Sequence, residues 1–334
     1  MKIGLFVRDP TAHICVRRRL LDPLRDCLGH EIRYGCDMFR RHTQQYEPEV
    51  LSWADVLVAQ RAFPGPDTET LCAAIRDSGK PVVYESDDLL EQSPRLSLRP
   101  YLPFIREFQQ AADLVTVSTP ALADHYSALN ANTQVLRNYL NATLWLPHLV
   151  NPRQRRSRRV RVGYFGDSDS ILDINSLRAV LLRLAEKHAH VDLCFWVGKP
   201  NALEHLACAS FRAESCTYEE FPAALTSLKL DIGIVPGLPT ALNRSRSPVK
   251  FFDYALAGAA CVASADSPFA GVIKHGQNGF LCSSEEEWFA TLDRLVQDTA
   301  QRREVALRAQ AEVLQNWMLA DHAPLWQAQY ERLL

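Results

Sequence analysis

The sequence has no long apolar run and no paired-cysteine motif. A membrane-spanning helix needs ~20 apolar residues, and the longest stretch of low charge, residues 254–265, is much shorter. The nine cysteines are odd in number and irregularly spaced, and none forms a Cys-x-x-Cys pair. This pattern argues against a disulfide framework and against a zinc knuckle. We therefore expect a cytoplasmic protein with reduced thiols, whose membrane contact is limited to a peripheral one at the inner face.

The sequence also lacks an excess of either charge and the common catalytic signatures. Its 334 residues carry a formal net charge of -2, so the overall charge does not favour nucleic acid as a partner. Walker A, G-x-G-x-x-G, G-x-S-x-G and H-E-x-x-H patterns are all absent. A composition of 47% hydrophobic and 23% charged residues is typical of a soluble globular protein. The function must therefore be sought in how the chain is organised.

Short β-branched runs alternate with helical patterns along the chain, which is typical of a parallel sheet built from βαβ units. The predicted strands lie at 2–7, 55–60, 81–85, 114–118 and 134–136 in the first half, and at 159–166, 190–197, 231–235 and 260–264 in the second. An Arg-rich segment with a proline, residues 151–159, separates the two halves as a linker. We predict two doubly wound α/β domains, residues 1–150 and 158–315.

One helix of the second half has clear ends. Ser247 is a favourable N-cap residue, Pro248 suits the first helical position, and Gly258 favours the helix end. The start of a helix carries free N–H groups and a partial positive charge, which attract phosphate. This pattern predicts an anion site at the helix start.

Charged side chains flank the same helix start. Arg246 and Lys250 add positive charge there, and Asp253 lies on the same helix face as Lys250. Cations with a carboxylate one turn later suit a nucleotide-diphosphate sugar. A solvated basic loop with an i,i+3 ion pair is the alternative, and the pattern alone leaves both open.

Four motifs of the second half agree in order with those of a known family. They are the strand and glycine turn at 160–166, the Asp-hydrophobic-Pro strand at 231–236, the run K-F-F-D-Y-A-L-A-G-A-A-C-V-A-S at 250–264 and the turn H-G-Q-N-G-F-L at 275–281. Together they resemble the donor domain of the retaining GT-B glycosyltransferases called glycosyl transferases group 1, or family 4-like. The resemblance implies two Rossmann-like domains facing a central cleft, with the acceptor domain first and the last helix, 324–334, packing back on it.

The resemblance also implies site residues. Gly166, Arg246, Ser247 and Lys250 would bind the diphosphate of the donor, and Asp253 would hold its ribose. The transfer would need no cofactor and no metal ion. The acceptor would be a glycan, a lipid-linked molecule or a protein, in a bacterial surface-polysaccharide, glycolipid or glycoconjugate pathway.

The chain departs from the family pattern at two places. Family members carry a Glu-x7-Glu pair, whereas this chain has Ser245 at the first position and Asp253 at the second. The Arg and Lys of the turn after the first donor-domain strand look absent, and Asp167, Ser168 and Asp169 stand there instead. Two carboxylates at this spacing also suit a divalent metal on a diphosphate, although such residues are ordinary in turns and N-caps.

The first half offers weaker candidates. Asp87 and Asp88 follow a predicted strand, and a carboxylate pair can accept a proton from an acceptor hydroxyl or bind its hydroxyls. Helix capping is the alternative for this pair. His13, in the loop after the first strand, is a candidate acceptor contact or a plain surface histidine. The arginines at 17–19 and the linker are candidates for contact with anionic lipid or a phosphorylated acceptor, or are solvated faces.

We therefore expect a metal-independent glycosyltransferase of hexosyltransferase type. Two alternatives stay open. One is a GT-B-type sugar-nucleotide epimerase, which would need no acceptor. The other is a non-catalytic relative that binds a glycan or a nucleotide sugar, which the serine at position 245 would favour.

Overall fold

The computed structural model describes residues 1–9, 13–37, 47–155, 157–166, 171–196, 203, 206–212 and 216–334, and these form two compact units. Unit 1 comprises Met1–Asn141, Ser245–Ser247 and Leu319–Leu334, and unit 2 comprises Ala142–Arg244 and Pro248–Met318. The division therefore comes earlier in the chain than residue 150.

Part of the predicted linker packs on unit 2 instead of being a solvated connection. Arg155 donates hydrogen bonds to the carbonyl oxygens of Leu230 and Ala257, the latter at 2.7 Å. Arg159 pairs with Asp192 at 2.7 Å. These bonds join Arg155 and Arg159 to other residues of the second unit.

Each unit contains one six-stranded sheet in which all pairs of neighbouring strands are parallel. The strands of unit 1 are β1 (Lys2–Val7), β2 (Glu31–Asp37), β3 (Val56–Gln60), β4 (Val82–Ser86), β5 (Leu114–Val117) and β6 (Thr133–Val135). Those of unit 2 are β7 (Val160–Phe165), β8 (Val191–Trp196), β9 (Ala209–Arg212), β10 (Ile232–Val235), β11 (Ala260–Ser264) and β12 (Phe280–Cys282). The predicted fold class, two Rossmann-like doubly wound parallel sheets, is confirmed.

The strand order of each sheet reverses at one point. In unit 1 the order is β2-β1-β3-β4-β5-β6, so the reversal lies between β1 and β3. In unit 2 the order is β12-β11-β10-β7-β8-β9, and the reversal lies between β7 and β10. Open α/β sheets bind ligands outside the carboxyl ends of the strands at such a reversal. The two reversal points are therefore the places to search for sites.

Helices connect the strands. They are α1 (Ile14–Val16), α2 (Pro48–Trp53), α3 (Glu69–Asp77), α4 (Leu102–Ala111), α5 (Pro120–Tyr126), α6 (Ala142–Trp145), α7 (Ile171–Asn175), α8 (Arg178–Lys187), α9 (Phe221–Ser227), α10 (Ala241–Ser245), α11 (Val249–Leu256), α12 (Glu285–Gln297), α13 (Thr299–Asn316) and α14 (Pro324–Glu331). A π-helix at Arg17–Cys27 continues α1, and short 3₁₀ turns lie at Leu90–Gln92, Leu96–Tyr101, Leu146–His148, Pro152–Gln154, Pro268–Gly271 and Leu319–Asp321. The last helix, α14, is part of unit 1.

The predicted N-cap of α11 is wrong by one residue. Pro248, not Ser247, occupies the N-cap position, and no side chain caps the helix there. Proline tolerates this place because its missing N–H would have no partner in the helix. At the other end Gly258 has a φ of 73°, the left-handed conformation that ends helices. The helix itself and its stop are thus where the sequence predicts them.

Candidate functional site

Four charged side chains meet at the strand reversal of unit 1. Asp9 follows β1, Arg61 follows β3, and Asp87 and Asp88 follow β4. The Arg61 guanidinium lies between them, with Nη1 2.5 Å from Asp87 Oδ1 and 3.2 Å from Asp88 Oδ2, and with Nε 3.2 Å from Asp9 Oδ2. The structure therefore brings the two predicted catalytic carboxylates together around one arginine, and the cluster keeps an excess of negative charge.

The backbone of Arg61 is fixed in an uncommon conformation. Its φ of 51° lies in the left-handed region, which costs a non-glycine residue about 1–2 kcal/mol. The buried Tyr84 hydroxyl donates to the Arg61 carbonyl oxygen at 2.6 Å, and the Arg61 amide donates to the Glu85 carbonyl oxygen at 2.9 Å. Such strain persists where the surroundings determine it and is concentrated at functional sites.

The two carboxyl groups beside the arginine have pKa values shifted in opposite directions. Burial alone would raise the pKa of Asp87, but the positive charge of Arg61 reverses this and lowers it to about 2. Burial raises the pKa of Asp88 above its usual value, and Arg61 opposes this shift only in part. The side chain of Asp87 is 14% exposed and that of Asp88 is 34% exposed. Asp88 is thus the more accessible carboxylate and the stronger base of the pair.

His13 and Cys15 border this cluster. The His13 Nδ1 atom accepts a bond of 3.3 Å from the Cys15 amide at the start of α1. Burial lowers the pKa of His13, so that the ring stays neutral at pH 7. Arg61 Nη1 lies 3.5 Å from Cys15 Sγ, and burial raises the pKa of this thiol well above its usual range. His13 therefore lies at the unit 1 cluster, whereas the first part of its loop, 10–12, is outside the described residues.

A buried ion pair between Arg19 and Glu85 lies at the strand end that precedes the cluster. Arg19 Nε donates to Glu85 Oε1 at 2.6 Å, and Gln60 Nε2 donates to Glu85 Oε2 at 2.7 Å. Arg19 also donates to Asn138 Oδ1 at 3.1 Å, and Trp326 of α14 donates to the Arg19 carbonyl oxygen at 3.1 Å. Glu85 is two residues before Asp87, so these contacts fix the strand end that presents the carboxylates.

The same contacts correct the membrane hypothesis for residues 17–19. Arg18 and Arg19 are buried, with 7% and 0% of their surface exposed. Arg17 pairs with Asp22 and Asp26 at 3.6 and 3.5 Å. Arginines buried or paired in this way offer no surface to anionic lipid. The pattern of three consecutive arginines did not reveal that the π-helix places two of them inside.

The reversal point of unit 2 carries the predicted lysine. Lys250, in the first turn of α11, donates from Nζ to the Tyr164 hydroxyl at 3.0 Å near the carboxyl end of β7. Its ammonium lies 4.3 Å from the centroid of the Tyr164 ring and 5.5 Å from that of Phe165. Gly166 follows directly, and its amide donates to the Trp196 carbonyl oxygen at 3.0 Å. Lys250 and Gly166 are thus joined through the end of β7.

A polar network ties the loop after β10 to the helix after β7. One oxygen of Asp173 in α7 accepts bonds from the Leu238 amide at 2.9 Å and from Asn243 Nδ2 at 2.8 Å. The Gly237 amide donates to Ser264 Oγ at 2.9 Å. The backbone on both sides of the reversal point is therefore held in place.

The turn at 275–281, which resembles the family motif, is held by its own hydrogen bonds. Asn278 is 4% exposed, accepts a bond from the Lys274 amide at 2.7 Å and donates to the Val272 carbonyl oxygen at 3.1 Å. Gly276 has a φ of 76°, which a side chain would strain. These residues shape the turn that leads into β12.

No protein-family model and no curated protein matches the chain, but solved structures do. HepE from Anabaena in complex with UDP-glucose aligns over 100% of this chain and 99% of its own, with a TM-score of 0.70 and 17% identity. Sucrose-phosphate synthase from Thermosynechococcus elongatus aligns over 99% of this chain and 98% of its own, with a TM-score of 0.72 and 13% identity.

A third match is an α-glucosyltransferase in complex with UDP-glucose and DNA containing an abasic site. It aligns over 100% of this chain and 99% of its own, with a TM-score of 0.68 and 12% identity. The matched structures are GT-B glycosyltransferases. The chain has the GT-B fold. At these identities the likeness establishes the fold, and the activity has to be argued from the sites.

The predicted donor residues of this GT-B chain are divided between the units. Gly166, Lys250 and Asp253 lie in unit 2, whereas Arg246 and Ser247 lie in unit 1, where the charge of Arg246 acts on Asp88. Asp253 is buried, with 2% of its surface exposed. A ribose contact therefore requires access that this side chain lacks here, and its donor role stays a prediction.

The alternative metal motif, Asp167, Ser168 and Asp169, lies outside the described residues. Within the ranges that the structure does describe, no group of three or more His, Cys, Asp or Glu side chains is arranged to hold a metal ion. Over the same ranges, no helix has both the length and the apolar character needed to cross a bilayer.

Asp9, Cys15 and Arg61 of the unit 1 cluster and Tyr164 of unit 2 escaped the sequence analysis. Arg61 is one of many arginines, and Tyr164 is one of several aromatic residues in strands. A signal for Arg61 did exist, because it follows a strand that pairs with the one preceding Asp87, and the ends of parallel neighbours meet. No sequence signal distinguishes Tyr164.

Proposed function

We propose that the chain is a glycosyltransferase that moves a sugar from a nucleotide-diphosphate sugar to an acceptor hydroxyl. The observation that carries the proposal is the Lys250 ammonium, held at the carboxyl end of β7 beside the strand reversal of unit 2. A fixed cation at this place suits a diphosphate leaving group, whose charge grows as the sugar departs. HepE and the α-glucosyltransferase, with which the chain shares its fold, are both in complex with UDP-glucose.

In the transfer, the bond between the anomeric carbon and the phosphate oxygen breaks, and a bond to the acceptor oxygen forms. The acceptor hydroxyl loses its proton, and we assign Asp88 as the group that receives it. Asp88 is more exposed than Asp87, and its pKa is raised mainly by burial, whereas that of Asp87 is lowered. Asp87 stays ionised beside Arg61 and binds acceptor hydroxyls, with His13 as a neutral neighbour.

The finer parts of the proposal rest on the family resemblance. They are retention of the anomeric configuration, independence of metal ions, and an acceptor in bacterial surface-polysaccharide, glycolipid or glycoconjugate synthesis. Transfer that is unchanged by EDTA would support metal independence. If EDTA abolishes transfer and Mg²⁺ or Mn²⁺ restores it, metal independence is refuted, and Asp167 and Asp169 become the candidate metal ligands.

The donor site is tested by a thermal-shift panel of UDP, GDP, ADP and dTDP sugars. A ligand that binds only the native state raises the melting temperature by mass action. We expect one nucleotide class to stabilise the wild type and Lys250→Ala to lose the response. Lys274→Ala is the matched control, because its side chain is 69% exposed in the same unit and should leave the response intact.

The acceptor side is tested with the donor class that the panel identifies. We expect Asp88→Asn to lower kcat by about 10²–10⁴, the usual contribution of a general base, while donor binding stays unchanged. If no nucleotide sugar stabilises the wild type, with or without Mg²⁺, the glycosyltransferase proposal fails and the non-catalytic relative takes its place.

A further inference from the structure

Tyr164 lies where the proposed donor diphosphate would meet the end of β7, although neither the motifs nor the resemblance assigns it a role. It is the penultimate residue of the strand and is fully buried. We propose that Tyr164 is a positioning residue that holds the Lys250 ammonium for the diphosphate. This inference rests on the proposed function and deepens it.

The tyrosine fixes the lysine in two ways. Its hydroxyl oxygen accepts a bond of 3.0 Å from Lys250 Nζ, and its ring lies 4.3 Å from the same ammonium. A lysine carries its ammonium on a flexible four-carbon stem and loses conformational freedom when it binds a ligand. A buried tyrosine loses no freedom in this step, because the sheet already holds it. The ammonium is therefore oriented before the ligand arrives.

Gly166 belongs to the same arrangement. A Cβ atom at this position would lie 2.8 Å from the Tyr164 hydroxyl oxygen and 3.0 Å from its Cε1 atom. A side chain at 166 would therefore require the Tyr164 ring or the backbone of residue 166 to shift from the position in which the hydroxyl meets Lys250. Gly166, predicted to bind the donor diphosphate, leaves the space that the Tyr164 hydroxyl occupies. Gly166, Tyr164 and Lys250 form one unit, which we call the lysine support.

Titration calorimetry with UDP tests the support directly. Tyr164→Phe keeps the ring and removes the bond to Lys250, so we expect its Kd for UDP to rise about threefold to tenfold. Tyr254→Phe is the matched control, since this buried hydroxyl donates to the carbonyl oxygens of Gly163 and Ile234 at 3.3 Å. We expect the control to lose stability but to keep its affinity for UDP. In kinetics, Tyr164→Phe should raise the donor KM and also lower kcat, because the displaced ammonium no longer stabilises the charge that grows on the leaving diphosphate.

A double-mutant cycle separates positioning from general damage. Gly166→Ala should weaken UDP binding about as much as Tyr164→Phe, and the combined variant should be no weaker than either single one. Gly271→Ala is the control, because no atom lies within 4 Å of a Cβ there. Additive effects, or a Tyr164→Phe variant that binds UDP like the wild type while Lys250→Ala does not, would overturn the inference and leave the proposed function standing. A wild type that binds no nucleotide sugar would instead remove the proposed function itself.

Discussion

Replacing Arg61 by glycine tests whether one guanidinium holds the carboxylates of unit 1 together. The Arg61 side chain is 10% exposed and contacts Asp9, Asp87 and Asp88. Removing one partner of a fully buried ion pair costs about 3–5 kcal/mol, and the partial exposure of Asp9 and Asp88, 28% and 34%, places this cluster at the lower end of that range. Glycine accepts the φ of 51° and relieves about 1 kcal/mol of strain, but its freedom in the unfolded chain offsets much of this gain. We expect the free energy of unfolding to fall by about 3 kcal/mol at pH 7.

The stability that Arg61→Gly loses relative to the wild type should decrease as the pH falls. The pKa of Asp87 is lowered from 3.8 to about 2, so this carboxylate stabilises the native state above pH 3.8, and its contribution disappears as the pH falls through 2. At about 1.4 kcal/mol per pKa unit, the shift corresponds to about 2 kcal/mol. In the variant, Asp87 and Asp88 are still partly shielded from water but lack the charge of Arg61, so the native state favours their protonated forms. The difference in the free energy of unfolding between wild type and variant is therefore largest at neutral pH and narrows as the pH falls towards 2.

Urea unfolding at pH 7, 4 and 3, with hydrogen exchange of the β4 amides as the readout for unit 1, measures this difference. Arg76→Ala is the control, because this side chain is 49% exposed and pairs with Glu107 at 3.5 Å. An exposed pair contributes less than about 1 kcal/mol, so the control should change little at any pH. If Arg61→Gly is as stable as the wild type at pH 7, or if its loss is the same at pH 7 and pH 3, then Arg61 does not hold Asp87 ionised.

Three further predictions concern single side chains. Trp326→Phe should lower the free energy of unfolding by about 1 kcal/mol, because the 3.1 Å bond from the indole N–H to the Arg19 carbonyl oxygen is lost. Trp326→Ala should lower it by about 3–5 kcal/mol, because it also leaves a cavity. Urea unfolding of both variants measures the two losses. Gly258→Ala should lower the melting temperature far more than Gly271→Ala, since φ is 73° and the new Cβ would lie 2.9 Å from the Val150 carbonyl oxygen. The His13 ring should titrate below 6.5 in an NMR pH series, because burial disfavours its charged form, and a midpoint above 6.5 would contradict the geometry.

The interior strands were predictable because they are covered on both faces. β3 and β5 have no exposed residue, and such runs read as continuous apolar segments. The sequence analysis missed β2, β9 and β12, all of which lie at sheet edges. An edge strand pairs on one side only and carries polar residues, as in Glu31 and Arg33 of β2. Its pattern therefore differs little from that of a loop.

The candidate sites were predictable as locations but not as arrangements. Asp87, Asp88 and Lys250 stand out because each lies just after a strand or at a helix start. Their partners depend on which strands are neighbours and on single backbone angles. The left-handed φ of Arg61 and the contact between Lys250 and Tyr164 leave no periodic trace in the sequence. For Ser247 the sequence pattern was misleading, because the following Pro248, and not this favourable capping residue, occupies the N-cap position.

Both units use a strand tyrosine to hold a cation at the reversal point. In unit 1 the Tyr84 hydroxyl donates to the Arg61 carbonyl oxygen at 2.6 Å and so fixes the backbone from which the guanidinium extends. In unit 2 the Tyr164 hydroxyl accepts a bond of 3.0 Å from Lys250 itself. A buried tyrosine has only two side-chain torsions, both fixed by the packed sheet, so it transmits the rigidity of the sheet to a long, flexible cation. The charges at each reversal point are therefore preorganised by the strands, which is the condition under which a site stabilises developing charge without first rearranging.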